Sequence, residues 1–146
     1  KTYREWQQHY KVDFDSELEA EHETAMYNNF GSCMITDFPE FTSPFWNMSR
    51  HADGVHSKKI DVILGGMETI GSAERSTDVE QMRDTFHTIT EGAYSSLLFD
   101  LFSKERVEGE LEEFLQHDFF PRVGGGIGMT RMIAALEKLE VAEKAA

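Results

Sequence analysis

Residues 58–75 read KKIDVILGGMETIGSAER and carry the clearest local signal of structure in the chain. Two β-rich runs flank Gly65 and Gly66, and paired glycines supply the positive φ angles that two-residue hairpin turns require. The pattern therefore predicts an antiparallel hairpin in which Leu64 pairs with Met67 and the pairing continues outward from the turn.

Two acidic residues of this hairpin are predicted to share one face. On the expected register Val62 pairs with Thr69, so Asp61 becomes the diagonal neighbour of Glu68, roughly 7 Å away. Burying such carboxylates alone would be costly, so three interpretations stay open: they are solvated, paired with Lys or Arg, or bound to a divalent cation such as Mg²⁺. Ser72 would add an oxygen to this face if no bulge intervenes.

Arg75 follows the small residues 71–73. Small side chains let a ligand approach the backbone, and an arginine binds a carboxylate through two parallel hydrogen bonds. Strict alternation places Arg75 on the face opposite Glu68, whereas a bulge at Gly71 would reverse this, and the sequence leaves both placements open. The alternative role of Arg75 is an ion pair with a neighbouring acidic residue.

Residues 124–131 read GGGIGMTR, which places four glycines in five residues just before an amphipathic helix. We predict a glycine-rich turn that lets the backbone approach a flat or anionic ligand near the helix N-terminus. The spacing fits neither the dinucleotide fingerprint nor the phosphate loop. Arg131, in the first turn of the predicted helix, is placed to contact a phosphate or stack on a base.

The rest of the chain shows no internal repeat and no linker that would divide it. A capping box predicts that Ser16 caps the second helix, and Ser76 or Thr77 is expected to cap the third. The predicted elements are helices over 1–12, 16–28, 79–90, 93–103, 107–117 and from 129 nearly to the end, a strand over 32–38, an extended segment over 42–48 and a loop over 49–57.

The composition excludes several classes of protein. The 146 residues include 27 acidic and 14 basic side chains, a net charge of −13, which repels nucleic-acid backbones and anionic lipid at long range. The single cysteine, Cys33, excludes a disulfide scaffold and fits a cytoplasmic protein. No apolar run approaches the roughly 20 residues of a membrane span, and the six histidines show no zinc-ligand spacing.

Taken together, these features resemble the second half of a class II aminoacyl-tRNA synthetase catalytic domain of the aspartyl/asparaginyl subgroup. The resemblance spans about residues 13–140 and depends on the order of its motifs: Phe38-Pro39, PFWNM at 44–48, Asp61, Glu68, Arg75, and GxGxGxxR, called motif 3, at 124–131. The sequence GGGIG at 124–128, and Thr130 where the synthetases usually carry Glu, are similar to archaeal-type ammonia-dependent asparagine synthetase.

The resemblance implies an α+β fold, with an antiparallel sheet flanked by helices, and assigns roles to particular residues. Asp61 and Glu68 would hold the Mg²⁺ bound to ATP. Arg75, with Ser72 nearby, would recognise the side-chain end of the amino acid, and Arg131 would contact the γ-phosphate and adenine. The glycines expected to line the ATP pocket are Gly124, Gly126 and Gly128.

The implied reaction joins aspartate to ATP, giving aspartyl-adenylate and pyrophosphate, and ammonia then gives asparagine and AMP. The first alternative is the catalytic domain of an aspartyl- or asparaginyl-tRNA synthetase, with tRNA as partner, and the second is a non-catalytic paralogue. Motif 1, at the dimer interface, and motif 2, with its α-phosphate arginine, are not found. We therefore expect residues 1–146 to be the C-terminal half of the catalytic domain of a cytoplasmic homodimer that binds no membrane.

Overall fold

An antiparallel sheet of four strands, in the order β1-β2-β3-β4, lies at the centre of the computed structural model. The structure describes residues 1–145, with side chains for residues 1–141. Its strands are β1 (Cys33–Pro39), β2 (His56–Leu64), β3 (Met67–Arg75) and β4 (Arg122–Ile127). The predicted α+β fold with an antiparallel sheet is confirmed.

Helices precede the sheet, connect β3 to β4, and follow β4. They are α1 (Tyr3–Tyr10), α2 (Ala20–Phe30), α3 (Val79–Thr88), α4 (Ala93–Phe102), α5 (Lys104–Leu115) and α6 (Met129–Ala145), with short 3-10 turns at Glu40–Thr42 and Ile89–Gly92. Across the described part of the chain, none of these helices is long and apolar enough to cross a membrane.

The β2–β3 hairpin turns at Gly65 and Gly66, whose φ angles are 60° and 89°. Leu64 pairs with Met67 as predicted. The turn also receives α6, because the Cβ of any larger residue at Gly65 would stand 3.0 Å from the Cα of Ala135. Glycine is therefore required here both by the backbone angle and by the close approach of a helix.

A β-bulge at Thr69 changes the register beyond the turn. The predicted pairing of Val62 with Thr69 is wrong, because Ile70 stands opposite Val62. The carbonyl of Thr69 instead accepts a hydrogen bond from the Gly128 N–H at 2.8 Å, while its hydroxyl donates to the Met67 carbonyl at 3.1 Å. Partners outside the β2 ladder thus stabilise the extra residue.

The bulge decides which side chains of β3 lie beside Asp61, on what we call the carboxylate face. Asp61 pairs with Gly71, so Gly71, Ala73 and Arg75 lie on this face. Alternation then places Ser72 on the opposite face, where its hydroxyl donates to the Ile60 carbonyl at 3.3 Å. The sequence had allowed a bulge at Gly71, and the structure has it two residues earlier.

Two predicted helix caps are wrong. Helix α2 begins at Ala20 and is capped reciprocally by Glu19 and His22, not by Ser16. The buried side chain of Gln7 donates to the Ser16 carbonyl at 2.7 Å, which holds that region in a turn.

Helix α3 is capped by Asp78, whose carboxylate accepts the Gln81 N–H at 3.0 Å. Ser76 instead accepts the N–H of Asp78 at 3.1 Å, so its hydroxyl supports the turn before the helix. Thr77 accepts no capping hydrogen bond in this helix.

The glycine run was predicted to be a turn, but residues 124–126 belong to strand β4. Gly124 pairs with Ala73, Gly125 with Ser72 and Gly126 with Gly71. A Cβ at Gly125 would stand 2.7 Å from the Cβ of Ser72, so this strand approaches its neighbour too closely for side chains.

The extended segment predicted over 42–48 is also wrong. Trp46 and Asn47 form a turn, and only Met48 pairs, in a single bridge to Arg75. Arg50 bends the segment, since its guanidinium donates to the carbonyls of Met48 at 2.7 Å and Pro44 at 3.1 Å.

Two separate apolar clusters hold the chain together. The first packs α1 and α2 against the carboxylate face near Ile35 and Ile63, which are 3% and 0% exposed. The second joins α3, α4 and α5 around Trp46, beyond the Arg75 end of the sheet. The opposite face of the sheet is open, with Ile127 54% exposed and Val123 75% exposed.

Candidate functional site

Two carboxylates meet over Gly71 on the carboxylate face. If Gly71 carried a Cβ, that atom would stand 2.8 Å from Glu68 Oε1 and 3.5 Å from Asp61 Oδ1. The absence of a side chain at Gly71 therefore leaves a small space that both acidic side chains border.

The carboxylate of Asp61 is buried and only half paired. The residue is 5% exposed, and its Oδ2 accepts a hydrogen bond from Lys59 Nζ at 2.5 Å. Its Oδ1 is buried without a hydrogen-bond partner among the described residues. Desolvation raises the pKa of Asp61 to about 6, although the ammonium group of Lys59 acts in the opposite direction.

Glu23, on α2, is a third acidic residue at this end and was missed by sequence reasoning. Its Oε2 accepts the backbone N–H of Glu68 at 2.7 Å. Desolvation raises the pKa of Glu23, and the nearby charge of Glu68 raises it further. No periodic signal could have found this contact, because it joins residues 45 positions apart on different elements.

Asp61 and Glu68 fit a divalent cation. An unpartnered buried oxygen and a gap above Gly71 are features that a cation would satisfy. Residues 1–141 contain no group of three or more His, Cys, Asp or Glu side chains that could hold a metal ion. A cation here would therefore complete its coordination from outside these side chains, as Mg²⁺ commonly does with water and phosphates.

Arg131, from the first turn of α6, reaches the same end of the sheet. Its Nη1 donates to the main-chain carbonyl of Glu68 at 2.6 Å. Gly128 fixes the start of this helix through its hydrogen bond to the Thr69 carbonyl. The guanidinium is exposed and adjoins the acidic cluster, so it places positive charge where a phosphate could lie.

Arg75 lies at the other end of the carboxylate face and is fixed by neutral partners. Its Nη1 donates to Asn47 Oδ1 at 3.0 Å and its Nη2 to the Gly124 carbonyl at 3.2 Å. Among residues 1–141 no carboxylate lies within ion-pair distance of Arg75, and the neighbouring Glu74 pairs instead with Lys58 at 2.8 Å. The guanidinium keeps its charge and further donors for a ligand.

Gly124, Gly126 and Gly128 divide between the two ends of the site. A Cβ at Gly124 would stand 3.0 Å from Arg75 Nε, so Gly124 is the floor beneath that guanidinium. Gly126 has open space above it, with no atom within 4 Å of its Cβ position. Gly128 adjoins Arg131, whose Cδ lies 3.5 Å from the equivalent point.

A second arginine stands directly opposite Arg75. Arg122 of β4 is its cross-strand partner, so both project from the same face. Like charges in this arrangement repel unless an anion or hydrogen-bond acceptors offset them. Arg122 donates to the carbonyls of Phe120 at 3.2 Å and Ser76 at 3.4 Å, which holds it at the same end of the site.

The residues of the site thus form two groups, and one residue predicted from the sequence lies outside both. Ser72, expected beside the carboxylates, lies on the opposite face because of the bulge at Thr69. The acidic end consists of Glu23, Lys59, Asp61, Glu68 and Arg131, and the basic end of Asn47, Arg75, Arg122 and Gly124.

The fold of the chain is similar to solved class II synthetases. Asparaginyl-tRNA synthetase from Pyrococcus horikoshii matches with a TM-score of 0.71 and 17% identity over 94% of this chain and 32% of that one. The same enzyme complexed with asparaginyl-adenylate matches with a TM-score of 0.71 and 17% identity over 94% and 31%. Aspartyl-tRNA synthetase from Entamoeba histolytica matches with a TM-score of 0.68 and 18% identity over 92% of this chain and 28% of that one.

These likenesses show a common fold, and the chain spans about a third of the length of each of those proteins. No curated protein matches the chain significantly. The family model described as tRNA synthetases class II (D, K and N) matches residues 2–145, nearly the whole sequence. On that match, and with the antiparallel sheet that the structure shows, the chain belongs to the class II tRNA synthetase family.

Proposed function

We propose that this site activates aspartate with ATP. An oxygen of the amino acid's α-carboxylate attacks the α-phosphorus, the bond to the β-phosphate oxygen breaks, and pyrophosphate leaves with that electron pair. The observation that carries the proposal is the opposite polarity of the two ends of one sheet face. Among the described residues, the acidic end has a buried Asp61 oxygen without a hydrogen-bond partner, and the basic end has an Arg75 guanidinium without an acidic partner.

At the acidic end, the side chains of Asp61 and Glu68 would hold Mg²⁺, which neutralises phosphate charge when bound. Glu23 fixes the backbone of Glu68, which positions that carboxylate. Arg131, which donates to the Glu68 carbonyl, would contact the terminal phosphate. Reactions of this kind depend on charge neutralisation and alignment, which these groups supply without a protein nucleophile.

At the basic end, Arg75 would bind the side-chain carboxylate of aspartate. Asn47 and Gly124 hold its two terminal nitrogens in place, so little freedom is lost when the substrate binds. Arg122 adds a second positive charge on the same face, which favours a carboxylate over a neutral amide.

Two acceptors for the activated aspartate are candidates. Transfer to tRNA is supported by the likeness to asparaginyl- and aspartyl-tRNA synthetases. Amidation by ammonia, giving asparagine, is supported by Thr130 next to Arg131, where the tRNA-dependent enzymes usually carry Glu. The whole protein would act as a homodimeric ligase that forms AMP and pyrophosphate.

The test uses the full-length natural protein that contains residues 1–146. We expect aspartate-dependent exchange of labelled pyrophosphate into ATP, with little exchange when asparagine replaces aspartate. If neither aspartate nor asparagine supports exchange, the proposal is contradicted and a non-catalytic paralogue is favoured. Release of free asparagine with ammonia would then identify one acceptor, and charging of tRNA without free asparagine the other.

A further inference from the structure

We propose that Lys59 makes the cation site at Asp61 and Glu68 selective for Mg²⁺ over Ca²⁺. It does so by occupying one oxygen of the Asp61 carboxylate, so that only the other oxygen can coordinate a cation. This inference rests on the proposed function, which assigns Asp61 and Glu68 as cation ligands.

Lys59 is fixed between two partners on the carboxylate face. Its Nζ lies 2.5 Å from Asp61 Oδ2 and 3.9 Å from the centre of the Phe38 ring. Its side chain is 24% exposed, and that of Asp61 is 7% exposed. A partly buried ion pair supported by a cation–π contact is held more firmly than a pair on the surface.

The pairing leaves the two oxygens of Asp61 in different situations. Oδ2 accepts a hydrogen bond from Lys59, while Oδ1 has no partner in the described part of the chain and faces the space above Gly71 that Glu68 Oε1 also borders. Asp61 can therefore offer one oxygen to a cation without breaking its ion pair.

One available oxygen suits Mg²⁺ better than Ca²⁺. Mg²⁺ requires nearly ideal octahedral geometry, keeps several waters, and is held by few protein carboxylates. Ca²⁺ is larger, takes six to eight oxygens, and often binds both oxygens of one carboxylate. Lys59 prevents Asp61 from binding in that second way, so it penalises Ca²⁺ more than Mg²⁺.

The adjacent Lys58 provides a matched control. It is the same residue type on the same strand, but alternation directs it to the opposite face, where it pairs with Glu74 at 2.8 Å. Removing Lys58 changes the net charge of the protein as much as removing Lys59 does, yet leaves both oxygens of Asp61 as they are.

The experiment measures binding of Mg²⁺ and Ca²⁺ separately in the full-length natural protein with a non-hydrolysable ATP analogue. Each cation competes with Mn²⁺, whose binding is followed by electron paramagnetic resonance. We expect Lys59→Met to raise the ratio of Ca²⁺ to Mg²⁺ affinity about tenfold, which is about 1.4 kcal/mol of selectivity. Lys59→Arg should change it less, and Lys58→Met should leave it unchanged.

The results separate this inference from the proposed function. If Lys59→Met raises both affinities equally, Lys59 acts only through its charge and the inference is overturned. If the natural protein binds no cation that Asp61→Asn removes, the assignment of the cation site itself fails. Lys59→Leu, which also lacks a hydrogen-bond donor, gives the same ratio test if the Met variant does not fold.

Discussion

The two ends of the carboxylate face balance their charges in different ways. At the acidic end Asp61 is paired directly with Lys59 but keeps one buried oxygen that has no partner among residues 1–141. At the basic end Arg75 is held by an amide oxygen and a main-chain carbonyl, with its charge left uncompensated by any described carboxylate.

This contrast indicates what each end is suited to bind. A buried carboxylate with an unpartnered oxygen is stabilised by an incoming cation. A guanidinium whose orientation is fixed by neutral groups is prepared for an anion, because binding costs it little freedom and no ion pair has to be broken. A triphosphate with its metal at one end and an amino-acid side chain at the other would satisfy both.

Removing the charge of Glu68 should impair the function of the acidic end more than any other change proposed. We expect Glu68→Gln in the full-length protein to lower the rate of aspartate-dependent pyrophosphate exchange about 1,000-fold, because phosphate charge is no longer neutralised. Folding should change little, since the residue is only partly buried. Circular dichroism and exchange assays test this, with Glu74→Gln on the opposite face as control. Retained exchange would remove the magnesium role of Glu68.

Neutralising Asp61 should stabilise the fold at neutral pH while it damages binding. The pKa of this carboxyl is about 6, against 3.8 in the unfolded chain. Burial disfavours the charged form and raises the pKa, Lys59 lowers it, and the negative charges of Glu68 and Glu23 raise it further. The folded state therefore loses stability as pH rises from about 4 to 6, by at most about 3 kcal/mol. Because this pKa already includes the effect of Lys59, Asp61→Asn should remove the loss.

Denaturant unfolding at pH 4, 6 and 8 measures the effect of Asp61→Asn. Asp53→Asn is an informative contrast, because hydrogen bonds from Val55 and His56 lower the pKa of exposed Asp53 to about 2. Its contribution to stability is present above about pH 4 and is lost on further acidification. Asp53→Asn should therefore destabilise at pH 8, and a destabilised Asp61→Asn there would refute our account of the acidic end.

Removing Arg75 should break the basic end selectively. We expect Arg75→Met to lower kcat/KM for aspartate about 100-fold through a higher KM for the amino acid, with the KM for ATP nearly unchanged. Arg83→Met is the control, because Arg83 pairs with Glu112 and Glu80 on the surface of α3. An equal rise in both KM values would show that the two ends are not separate.

Gly124 and Gly126, two of the three glycines of β4, offer the most sensitive test of the comparison. Gly124→Ala should push the guanidinium of Arg75 aside and raise the KM for aspartate about tenfold, because its Cβ would stand 3.0 Å from Nε. Gly126→Ala, with open space around its Cβ position, should leave that KM unchanged. Exchange assays at varied aspartate concentration measure both, and equal effects would mean that Gly124 does not support Arg75.

Sequence patterns predicted the local structure better than they predicted on which face of the sheet each side chain lies. The paired glycines at 65 and 66 predicted the hairpin, and the aromatic spacing over residues 1–12 predicted α1. The bulge at Thr69 could not be predicted, because it depends on a hydrogen bond from Gly128, 59 residues further along the chain. The glycine run was misread as a turn because its pairing with β3 is equally long-range.

The amino-acid sequence alone indicated a two-glycine hairpin, the acidic residues Asp61 and Glu68, the arginines Arg75 and Arg131, and the motif order typical of a class II synthetase. These follow from residue type and spacing, which act locally. Only the tertiary structure decided that Arg75 joins the carboxylate face while Ser72 leaves it. The physical reason is that a strand alternates its side chains, so a single bulge reverses the face of every residue beyond it.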